Sequence, residues 1–121
     1  MNTGSQRVLL AFAALWGFVG VIMLAAGSHP PQTGLLAHGG ELLLFHAAAV
    51  IGLLGLTLVT GWRRALPMIL MLAGSGIFAF EIVLHVTTGV LALGILAPIG
   101  GSLAILGWLV LAVGAVLEPK T

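Results

Sequence analysis

The chain has 121 residues, of which 60% are hydrophobic and 6% charged (four Lys+Arg, three Asp+Glu), with a mean hydropathy of +1.26. A soluble domain this short leaves a large part of its surface in water and carries about a quarter of its residues charged. That class is excluded, as are nucleic-acid binding, which needs clustered cations, disorder, which needs low hydrophobicity, and, with no cysteine, disulfide or thiolate chemistry.

What remains is an all-α integral membrane protein. The basic residues are Arg7, Arg63, Arg64 and Lys120, and each basic-free stretch between them is 55 residues long. A spanning helix needs about 20 apolar residues, so each stretch holds two spans and a connection. The chain therefore reads as one transmembrane domain over residues 1–121, with four transmembrane helices arranged as two hairpins in a compact bundle.

The first predicted span covers residues 8–26 and stops at the turn-forming run Gly27-Ser28-His29-Pro30-Pro31-Gln32-Thr33-Gly34. Arg7 and Ala26-Gly27-Ser28 also fit a cleavable signal peptide, but the apolar run exceeds the usual ~7–15 residues, so the span is expected to be retained. The second span covers 40–60 and ends at Gly61-Trp62-Arg63-Arg64, an indole and two cations at headgroup level. Pro67 opens the third, over 68–88, and Pro98 opens the fourth, over 98–117. Four spans put Arg7, Arg63, Arg64 and Lys120 on one side. The positive-inside rule makes that side cytoplasmic, with both termini, in a bacterial inner membrane.

Small residues mark a packing seam on every span, for example Ala13, Gly17 and Gly20 on the first and Gly100, Ala104 and Gly107 on the fourth. They suit bundle packing, and equally a face for a second copy or another membrane subunit. Gly39-Gly40-x-Leu42 echoes Gly100-Gly101-x-Leu103, as two parallel hairpin repeats would.

Five ionisable side chains lie at or within the spans: His38, Glu41, His46, Glu81 and His85. Such residues are expensive in lipid and are functional candidates by default. Counting depth from the predicted outer ends levels Glu41 with His85 and His46 with Glu81. Glu81 and His85 are four apart and share a helix face, whereas Glu41 and His46 are five apart and do not. Three readings stay open: Glu–His pairs that fix helix register, a proton or cation path, and an imidazole–carboxylate metal site. No motif supports haem through His46 and His85, no cofactor is predicted, and catalysis has the least support because no nucleophile or metal motif accompanies the carboxylates. Trp16, Trp62 and Trp108 read as packing or interface anchors, and His29 as a loop residue. Met68 and Met71 do not make a copper-type cluster.

Gly27-Ser28-His29, Phe45-His46-Ala47 and Pro98-Ile99-Gly100-Gly101 followed by Gly107-Trp108 carry a family resemblance. In this order, over residues 8–117, the chain resembles the domain-of-unknown-function 423 family, small membrane proteins related to transmembrane protein 256. The resemblance implies a four-span fold and lends weight to His46 and His29. It implies no activity. Where that family shows a Phe-Ser-Gly-Ser-Leu-Tyr-like stretch, this chain has Phe78-Ala79-Phe80-Glu81-Ile82-Val83, so Glu81 and His85 belong to this sequence. The expectation is a non-enzymatic inner-membrane protein, an accessory subunit of a membrane complex; the alternative is a proton-coupled or metal-ion transporter. The uncharged first span argues against a small multidrug exporter, whose essential carboxylate lies there.

Overall fold

The computed structural model describes residues 1–29 and 34–119, which form four α-helices: α1 (Thr3–Gly27), α2 (Gly34–Gly55), α3 (Trp62–Thr88) and α4 (Leu96–Leu117). All four are long and apolar enough to cross a membrane. At 1.5 Å per residue the shortest, of 22 residues, reaches ~33 Å, about the thickness of the hydrocarbon layer. Asn2 caps α1 by accepting from the Ser5 amide at 2.8 Å. Gly89 ends α3 in the left-handed region (φ 69°), where its N–H reaches His85 O at 2.9 Å and a side chain would be strained.

Four boundaries differ from the sequence expectation by five residues or more: α1 begins at Thr3 instead of Val8, α3 begins at Trp62 instead of Met68, so that Pro67 lies inside the helix and does not open it, and both ends of α2 move. Helix α2 starts six residues before Gly40, because Gly39 and Gly40 form an interface rather than a helix start. A Cβ on Gly40 would lie 2.6 Å from Gly20 O and 2.9 Å from Leu24 N, both backbone atoms of α1. The helix also ends five residues before Thr60. Arg64 reaches back from α3 and donates to Leu56 O at 2.9 Å and, more weakly, Leu54 O at 3.4 Å, satisfying carbonyls that the stopped helix leaves open.

Helix α1 packs on α2 and α3 on α4, and the two hairpins join chiefly along α2 and α3. Two apolar clusters fill the joint. Ala13, Val50, Leu53, Met68, Met71 and Leu72 form the one nearer the Arg63/Arg64 end, and Met23, Leu36, Leu43, Ala79 and Ile82 the other. Each hairpin crosses glycine on glycine. A Cβ on Gly20 would meet Gly40 O at 2.9 Å, and one on Gly74 would meet Gly100 O at 2.6 Å. Gly40 is seated over Leu24 N four residues beyond Gly20, just as Gly100 is seated over Phe78 N four residues beyond Gly74. The hairpins are thus parallel structural repeats, with a shift of 54 residues from α1 to α3 and 60 from α2 to α4. This register pairs Gly40 with Gly100 and Leu43 with Leu103, one residue away from the echo that the sequence motif suggests.

Met1, Gly4 and Ser5 share a groove with Gly61 and Trp62, and Arg63 packs on Gly114, so the start of α1, the α2–α3 connection and the end of α4 lie together. Arg7, Arg63 and Arg64 are all at this end. Lys120 lies outside the described residues.

Candidate functional site

His46 is the most constrained of the sequence candidates. It lies in the middle of α2, 5% exposed, on the same face as Gly39, Val50 and Leu53. Nδ1 is 2.7 Å from Leu42 O, one turn back on its own helix. Nε2 is 3.0 Å from Trp108 Nε1 on α4, and the two rings meet edge to face at 5.9 Å. An indole N–H can only donate, so Nε2 accepts and the proton sits on Nδ1, where it is donated to Leu42. Both nitrogens are used inside the chain, and the imidazole is neutral in this arrangement. Beside it a crevice of about 380 Å³ lies between α2, α3 and α4, walled by Leu42, Phe78, Gly101, Ala104 and Ile105.

The expected rungs are displaced. Gly39 lies against Ile82, and Leu43 shares its cluster with Ala79, so Glu81 is level with Gly40 and His85 with Leu36. His46 then stands six residues, ~9 Å, further along the axis than Glu81. The early start of α2 causes this shift. Glu81 is 8% exposed on α3 and makes no hydrogen bond or ion pair among the described residues; His85, one turn on, is half-buried. His38 and Glu41 are exposed near the start of α2 and approach to 3.8 Å, an ion-pair distance when the histidine is protonated. Of the five candidates, only this pair comes within ion-pair distance of each other. Among the described residues no three histidine or carboxylate side chains gather as metal ligands.

Two cross-hairpin links use tryptophans that sequence reasoning treats only as anchors. Trp108 bridges α4 to α2, and Trp16 on α1 donates to Leu72 O on α3 at 2.8 Å. The readable signal was depth. Both indoles fall mid-span, where lipid offers no acceptor and a buried N–H must find one in the protein. Trp62, by contrast, is exposed at the basic end, with Arg63 stacked 4.9 Å over its ring, as an interface anchor should be.

The basic end holds a second polar set. Thr60, in the α2–α3 connection, donates its hydroxyl to Glu118 at the end of α4. That bond chiefly, then the Thr60 amide and the Arg63 charge, hold the Glu118 carboxyl below its ordinary pKa against the opposing effect of desolvation. Comparison with protein families, characterised proteins and solved structures finds no match for this chain.

Proposed function

We propose that this chain is a multi-pass protein of the bacterial inner membrane, a member of the domain-of-unknown-function 423 family, and that it acts without catalysis as an accessory subunit of a membrane complex. Arg7, Arg63 and Arg64 at one end support cytoplasmic termini by the positive-inside rule. The observation that carries the accessory role is the engagement of His46. Its two nitrogens are occupied by Leu42 and Trp108, so the most buried histidine joins helices instead of meeting a substrate. Trp16 and Ser75 likewise donate to backbone carbonyls of the bundle. The test is purification in mild detergent followed by mass analysis of the native assembly. A second polypeptide at fixed stoichiometry is the expected result; an assembly of this chain alone that moves protons or cations in vesicles would overturn the reading.

The alternative, a proton-coupled or metal-ion transporter using Glu41, His46, Glu81 and His85, is favoured by Glu81 alone. A glutamate only 8% exposed within a membrane helix is costly and calls for a role. Flux in vesicles that is abolished by Glu81→Gln would support it.

A further inference from the structure

The internal repeat leaves one interface without its counterpart. In a chain of two parallel hairpins, the α2–α3 junction has an image between α4 and α1, and those two helices share no packed interface among the described residues. The missing junction can be located residue by residue. On α3, the side facing α2 carries Met68, Leu72, Ser75 and Ala79, all buried. Their images on α1, 54 residues earlier, are Ala14, Phe18, Val21 and Ala25, all exposed, with Phe18 at 62%. On α2, Gly39, His46, Val50 and Leu53 are buried at the junction. Their images on α4, 60 residues later, are Ile99, Leu106, Val110 and Val113, three of them exposed and Val110 half-buried.

From this we infer that α4 of one copy packs against α1 of a second copy, repeating between chains the junction that α2 and α3 make within one. The occupant is a second copy because the two faces are images of the two sides of a single established interface. They are apolar, carry no charge and match in length. Their directions also agree: α4 runs antiparallel to α1 of a neighbour that has the same orientation in the membrane, as α2 does to α3. The contact is heterologous, so it propagates to a closed ring when the rotation between copies permits. It is independent of the accessory role, since copies can join with or without another subunit.

The register is specific. Leu53 and Met68 share a cluster, which pairs Val113 with the neighbour's Ala14 position; His46 is level with Ser75, which pairs Leu106 with Val21. The chain has no native cysteine, so single-cysteine variants report without background. Two differently tagged populations are co-expressed, one with Ala14→Cys or Val21→Cys and the other with Val113→Cys or Leu106→Cys, and oxidised in native membranes. Disulfide geometry tolerates a Cβ separation of only ~4 Å. The matched pairs 14/113 and 21/106 should cross-link at least several-fold more than the swapped pairs 14/106 and 21/113, which are offset by ~10 Å. Ala25→Trp on the same α1 face should reduce the yield of the 21/106 pair. Lipid covering these faces gives no cross-link, and random collision gives equal yields from matched and swapped pairs; either result overturns the inference.

Discussion

Trp108 donates its indole N–H to Nε2 of His46 at 3.0 Å and thereby ties α4 to α2, two helices that share no broad contact surface. The bond fixes the histidine tautomer and removes the ring from any role that needs a free nitrogen. Replacing Trp108 with Phe should destabilise the bundle by about 1 kcal/mol, the usual worth of an interhelical hydrogen bond in a membrane. His46→Leu should cost a similar amount, and the double variant less than the two losses together. Thermal unfolding in detergent, arranged as a double-mutant cycle, reads the coupling.

The glycine crossings should tolerate nothing larger. A Cβ on Gly100 would lie 2.6 Å from both Gly74 O and Phe78 N, which are backbone atoms that cannot move aside. Gly100→Val should destabilise by about 1–3 kcal/mol or prevent folding. Gly52 is the control. Nothing lies within 4 Å of a Cβ there, so Gly52→Ala should be neutral or stabilising by up to about 1 kcal/mol. Melting temperatures of the two variants provide the comparison.

Gly76 gives Trp16 its seat, since a Cβ there would meet the indole at 2.7 Å. Gly76→Leu should push the ring off α3 and break its bond to Leu72 O. The readout is tryptophan fluorescence in a variant whose Trp62 and Trp108 are replaced by Phe. A shift in the emission maximum is expected, with none for Gly52→Ala in the same background.

At the basic end, the Arg64 guanidinium reaches Leu54 O in the last turn of α2 and Leu56 O just beyond the helix. Arg64→Gln should fray that end, measured as faster amide hydrogen exchange around Leu53–Leu58 with little change in the middle of α2.

Glu118 has its pKa lowered in the fold, so its contribution to stability is full above the ordinary glutamate value and is lost as the pH falls through the lowered one. Thr60→Ala removes the main cause. The wild type should therefore lose stability on acidification through this range more steeply than Thr60→Ala does, as measured by melting temperature against pH.

Much of the fold was legible in the sequence because lipid imposes simple rules. The spacing of Arg7, Arg63/Arg64 and Lys120 implies four spans, but Pro67 misplaces the start of α3, which begins at Trp62 and takes the proline into its second turn. The start of α2 was not legible. The turn-forming run up to Gly34 and the Gly39-Gly40 pair place the start near Gly40, and only the close approach of Gly40 to Gly20 and Leu24 shows that these glycines belong inside a helix. Six residues of added helix moved every depth on α2, which is why Glu81 does not stand opposite His46. The partner of His46 was equally hidden, because it lies 62 residues away on a helix that touches α2 only locally.

On the reading proposed above, His46 serves the bundle rather than a substrate or a metal. Its ring nitrogens can be observed directly by nitrogen-15 NMR of histidine-labelled protein in bilayers. A neutral imidazole protonated at Nδ1, with Nε2 hydrogen-bonded to the Trp108 indole and both signals unmoved by added Zn²⁺, is the predicted spectrum. A signal for the opposite tautomer, or a shift of Nε2 on adding the metal, would show that the ring is free to meet a ligand.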